Sequence, residues 1–171
     1  MELYLQKRHP THKRYSGEGS EALLVALNTL ISKAGRADPD VAGDLGIDSA
    51  VLGMPHRGRL STLVVLNDYP MRNLLYKVDG NNDIPEEVRD RIDDIPTHIA
   101  VSNTKKFSSS TGSAESDNKR VTLTMVHNPS HLESQNAITM GKARAKIDDT
   151  ASKDTKQVMS IQCHGDAAFC G

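Results

Sequence analysis

The chain has 171 residues, long enough for one domain with a real core. Its hydrophobic content of 37%, its 4% of aromatics and its lack of Trp leave that core to Leu, Val, Ile and Ala, and a formal net charge of -1 gives no electrostatic case for nucleic acid or an anionic membrane surface. No apolar run approaches the roughly 20 residues needed to span a bilayer, and two cysteines not spaced as CxxC, Cys163 and Cys170, point away from a disulfide scaffold and toward a reducing compartment.

Residues 1–12 read as an N-terminal lead-in. With Lys13 and Arg14 just beyond it, its basic group of Lys7, Arg8, His9 and His12 is a solvated approach to the first helix, too short for a targeting peptide and carrying Glu2. Residues 17–34 read as a helix, with Ala22, Leu23, Ala26, Leu27, Leu30 and Ile31 on one face, Ser16 or Ser20 placed to cap its start and Gly35 just past its end. Residues 36–48 are a turn-rich acidic loop. Ser49–Met54 is a short strand running into Pro55-His56-Arg57-Gly58-Arg59, with a helix from about Leu60 that Asp68-Tyr69-Pro70 breaks and Met71–Val78 resumes.

A short helix is expected over Pro85–Ile92, and the Ser/Thr-rich stretch 102–119 is the best candidate for a mobile loop. Val121–Val126 is a strand by residue type; it runs into His127-Asn128-Pro129-Ser130-His131-Leu132-Glu133 and then a helix to Lys146. Residues 147–157 are a polar linker before a final strand, Val158–Cys163, which ends at His164-Gly165-Asp166. Repeated strand-to-helix units predict an α/β fold, a parallel sheet with helices on its faces.

Three strand tips thus carry polar clusters: His56, Arg57 and Arg59; Asn128, Ser130, His131 and Glu133; His164 and Asp166. Open parallel sheets bind ligands beyond the carboxyl ends of their strands, so clusters recurring at that position point to one site. Each alone also has a structural reading: Arg57 and Arg59 as surface charges, Asn128-Pro129-Ser130 as a capped helix start, His164 as a satisfied structural histidine. Arginine and backbone N–H groups favour phosphate or carboxylate, and a lone Asp166 suits Mg²⁺ with a ligand's phosphate oxygens. A zinc site from Cys163, His164 and Cys170 is disfavoured, because neighbours on a strand point to opposite faces.

The segments KRYSGEGSEALL (13–24), GMPHRGRL (53–60), NPSHLE (128–133), MGKARAK (140–146) and HGDAAFCG (164–171) occur in order. Together they resemble the thiamine-diphosphate-dependent first component of 2-oxoglutarate dehydrogenase and its 2-oxoadipate relative. The resemblance implies that residues 13–171 form part of a thiamine-diphosphate-binding domain, an incomplete one: the rest of the metal motif and the activating glutamate lie elsewhere in the family's longer chains. It implies that Asp166, after Gly165 and before Ala167, ligates Mg²⁺ at the cofactor's diphosphate. It places His56 and His98 beside the substrate carboxylates, and Ser130, His131 and Leu132 along the cofactor pocket. Ser61 stands where the family usually has Asn.

The implied activity is decarboxylation of 2-oxoglutarate with acyl transfer to a lipoyl group of the complex's second component, the alternatives being 2-oxoadipate as substrate or a non-catalytic truncated chain. The implied full-length protein is a homodimer, with no nucleic acid partner and no membrane span. Its location is the mitochondrial matrix in a eukaryote and the cytoplasm otherwise.

Overall fold

The computed structural model describes residues 1–9, 17, 19–36, 46–81, 87, 95–107, 120–128, 131 and 133–170. A four-stranded sheet in the order β2-β3-β1-β4 organises them. Its strands are β1 (Ser49–Gly53), β2 (Val101–Lys106), β3 (Arg120–Met125) and β4 (Val158–Gln162). The helices are α1 (Glu2–Arg8), α2 (Ala22–Ala34), α3 (Arg59–Val65), α4 (Met71–Val78), α5 (Ser134–Asp149) and α6 (Asp166–Cys170). No described helix is long and apolar enough to cross a membrane.

The expected parallel sheet is present with one correction. β1 pairs in parallel with β3 on one side and β4 on the other, with Leu52 level with Met125 and with Ile161. β2, however, runs antiparallel to β3, so the sheet is mixed. This edge strand takes in Ser102–Lys106, the opening residues of the stretch expected to be a mobile loop; residues 108–119 lie outside the described residues. VSNTKK has no apolar alternation, and polar contacts hold it instead. Ser102 shares a hydroxyl hydrogen bond with Thr124 at 2.9 Å, and Thr104 one with Thr122 at 3.2 Å. On the other face Asn103 donates to the Asn67 carbonyl at 3.2 Å. Lys105 Nζ donates to the carbonyls of Val65 and Leu66 and to Asp68, each at 3.3 Å, a cation seated at the carbonyl end of α3.

The central strand alternates between two cores. Ala50 and Leu52 join Leu27, Ile31, Leu60, Leu63, Leu74, Val121, Leu123 and Met125 on the face covered by α2, α3 and α4. Val51 faces the other way and packs with Val126 against Ala143 of α5. The face of α2 is narrower than its sequence suggests: Leu27 and Ile31 are buried and Leu23 packs on the core, but Leu30 is exposed. The lead-in is not simply solvated. It forms α1, whose Met1 and Leu5 pack against the main core, and His9 Nε2 lies 3.0 Å from Asp79 at the end of α4. The helix expected over residues 85–92 falls outside the described residues, apart from Glu87.

The second face is polar. Helix α5 presents Gln135, Thr139 and Ala143, one residue per turn, and all three are buried. Thr139 approaches so near β1 that only glycine fits at position 53: a Cβ there would collide with Thr139 Oγ1 and come to 3.0 Å from Gln135 Cγ. Gly53 is thus the point where the helix and the central strand are pressed together, one residue before the chain enters the candidate site.

Candidate functional site

Because β3, β1 and β4 are parallel neighbours, their carboxyl ends share one edge. The segments that follow them therefore leave the sheet on that edge: Met54–Arg59 beyond β1, Val126–Asn128 beyond β3, and Cys163–Asp166 beyond β4. The ladder continues into these tips, with Val126 N–H donating to the Leu52 carbonyl at 3.1 Å and Cys163 N–H to the Gly53 carbonyl at 2.9 Å. The reversed direction of β2 brings a fourth segment to the same edge. Val101 pairs with Met125, so the 3-10 turn Pro96–His98 just before β2 sits beside the tip of β3.

The sequence expectations fare differently residue by residue. His56 is exposed in the turn after β1 and His98 is partly buried. His131 is exposed beyond β3; Ser130 and Leu132 lie outside the described residues. Gly165, Asp166 and Ala167 are exposed at the tip of β4. Asn128 is buried, at 6% exposure, and Gln135 Nε2 donates to the neighbouring His127 carbonyl at 3.3 Å, tying α5 to the tip of β3. His164 is partly buried, and its Nδ1 finds no partner among the described residues. Burial pushes the Cys163 thiol up, which keeps its sulfur neutral.

Arg59 overturns its surface reading. It is 0% exposed, while its neighbour Arg57 is exposed as expected. Gly58, at φ 73, takes the left-handed conformation that turns the chain into α3, and Arg59 follows it into the interior. Its Nη1 donates to the Met54 carbonyl at 3.2 Å, and its Nη2 donates to the carbonyls of Ile99 and Val126, both at 2.7 Å. Desolvation pulls the guanidinium down to about 10, which leaves it charged at neutral pH. Residue type alone could not reveal this. The signal available was local: an arginine directly after a turn glycine and at the head of the Leu-rich stretch 60–66.

Asp166 is an exposed carboxylate with no hydrogen bond or ion pair to a described residue, and a Cβ on the adjacent Gly165 would meet no described atom within 4 Å. Mg²⁺ takes oxygen donors, is held by one or two carboxylates, and fills its remaining positions with water and phosphate oxygens. Among the described residues no three His, Cys, Asp or Glu side chains gather around a common metal position.

A mixed α/β sheet with polar side chains gathered beyond the carboxyl ends of its parallel strands is the architecture of an open-sheet ligand-binding domain. No protein-family profile matches the chain. Curated relatives do. A probable 2-oxoadipate dehydrogenase complex component E1 homolog of Dictyostelium discoideum is 33% identical over 171 residues, covering 100% of this chain and 17% of its own length. The 2-oxoglutarate dehydrogenase E1 component of Rickettsia felis is 35% identical, covering 100% of this chain and 16% of its own. That of Brucella ovis is 31% identical, again across 100% of the chain and 16% of its own length. Over its whole length the chain is homologous to the E1 components of the 2-oxoglutarate and 2-oxoadipate dehydrogenase family, and it spans about one sixth of the relatives it matches.

Proposed function

We propose that this chain contributes the diphosphate-binding and substrate-reading part of a 2-oxo acid dehydrogenase E1 component acting on 2-oxoglutarate, with 2-oxoadipate as the alternative substrate. The observation that carries the reading is the convergence of three parallel strand tips and the His98 turn on one sheet edge, in a sequence homologous throughout to E1 components. Asp166 would hold Mg²⁺, Gly165 and Ala167 would border the diphosphate, and Ser130, His131 and Leu132 would line the cofactor. His56 and His98 would bind the carboxylates of the substrate and orient its oxo group. Thiamine diphosphate, when bound, supplies the electron sink for loss of CO₂, after which the acyl group passes to a lipoyl group of the second component.

The positions of these residues support this division of labour. An exposed carboxylate on the tip of β4 and imidazoles on the tip of β1 and before β2 suit a ligand that spans the edge, anchored through a metal at one side and through its acid groups at the other. The 33% and 35% identities do not separate the two substrates, which differ by one methylene. We assign the protein to the mitochondrial matrix in a eukaryote and to the cytoplasm otherwise.

Calorimetry on a full-length E1 carrying this segment tests the reading. Thiamine diphosphate titrated with Mg²⁺ should give a saturable heat that disappears in the Asp166→Ala variant and on replacing Mg²⁺ by a chelator. Equal heats from the Asp166→Ala and unaltered proteins would overturn the metal assignment.

A further inference from the structure

Arg59 is the only charged residue among those described that is buried from solvent, and its three acceptors all belong to the candidate edge. Met54 leaves β1 two residues before His56. Ile99 directly follows His98 on the way into β2. Val126 leaves β3 between them. The acceptors at Ile99 and Val126 lie 40 and 67 residues from Arg59 along the chain, so one side chain gathers segments that the sequence keeps far apart.

A guanidinium is planar and holds its N–H groups in a rigid fork, so the positions of the carbonyls it binds are set by its own shape. A buried charge is costly unless it is hydrogen-bonded, and an apolar side chain in its place would leave three backbone carbonyls without donors. What the cation supplies in return is a fixed distance between the turn bearing His56 and the turn bearing His98.

We propose that Arg59 is a positioning residue: by clasping the Met54, Ile99 and Val126 carbonyls it sets the separation of His56 and His98, and so the length of the 2-oxo diacid that the edge accepts. This rests on the reading above, in which those histidines hold the substrate's two acid groups. Arg59 itself touches backbone rather than substrate. Its effect is on selectivity: a pocket that recognises one methylene discriminates by about 10–200-fold, and that margin requires its two ends to be held in place.

The test uses a full-length E1 carrying this segment, assayed with 2-oxoglutarate and 2-oxoadipate. Arg59→Lys keeps the charge but loses the planar fork. It should raise KM for the preferred diacid about tenfold, more than it lowers kcat, and shrink the kcat/KM ratio between the two diacids. In a His98→Ala background the same substitution should add little further, since the group it positions is gone. Should the lysine variant not fold, Arg59→Gln carries no charge inside, keeps two N–H donors and is read in the same way.

A variant with a lower melting temperature but unchanged KM and unchanged diacid ratio overturns the proposal and leaves Arg59 a purely structural residue. Effects of Arg59→Lys and His98→Ala that simply add overturn it too. If neither His56→Ala nor His98→Ala raises KM, it is the underlying assignment of the histidines that fails, whatever Arg59 does.

Discussion

Replacing Arg59 by methionine lowers the free energy of unfolding by about 3 kcal/mol, at roughly 1 kcal/mol for each of the three backbone carbonyls it leaves without a donor. Methionine fills much of the volume, so the loss reports the unmet carbonyls rather than a cavity. The carbonyls of Met54 and Val126 cannot turn to solvent without pulling the ends of β1 and β3 apart, because Leu52 and Val126 are joined across the ladder. Urea denaturation followed by circular dichroism measures this directly: the midpoint falls while the slope stays constant. A loss below about 1 kcal/mol would mean that the three carbonyls find other donors and that the clasp is dispensable.

Gly53→Ala is the second large effect, expected to cost about 2–3 kcal/mol by overpacking. The new methyl would collide with Thr139 Oγ1 and press on Gln135 Cγ at 3.0 Å and Thr139 Cβ at 3.2 Å. Neither neighbour can yield easily. Thr139 is fully buried, its hydroxyl donates to the Gln135 carbonyl at 2.6 Å, and Gln135 is held at the tip of β3. The relief comes from α5 lifting off the sheet. Adding Thr139→Ala should recover part of the loss, since it removes the oxygen but leaves the Cβ. Thermal unfolding of the two single variants and the double variant gives the coupling; strictly additive losses would place the strain elsewhere.

The sequence made β1, β3, β4 and α4 legible for one reason: their residues are apolar or β-branched where the chain is buried, or are bracketed by breakers such as Asp68-Tyr69-Pro70. α4 occupies Met71–Val78 as read. What escaped notice was held by polar contacts. β2 looked like a loop because hydroxyl pairs and Lys105 at the end of α3, rather than apolar alternation, keep it in the sheet. α5 was read to Lys146 and runs on to Asp149, and its buried face of Gln135, Thr139 and Ala143 carries no hydrophobic period to find. At the candidate site, the shared edge was legible from the recurrence of polar residues after strands. The burial of Arg59 was not, since it depends on carbonyls 40 and 67 residues away.

Those separations also give Arg59 a place in time. Its nearest acceptor is 5 residues off and is available as soon as the turn after β1 forms. The other two exist only once the chain has doubled back from β2 into β3 and β3 has been laid beside β1, so the clasp is completed late, after the entropy of long loop closure has been met. Interactions absent from the folding transition state act on the rate of unfolding rather than of folding. Arg59→Met should therefore leave the folding limb of a chevron nearly in place and steepen escape from the native state by a factor on the order of 100. The arginine that sets a distance in the folded protein also sets how long that fold persists.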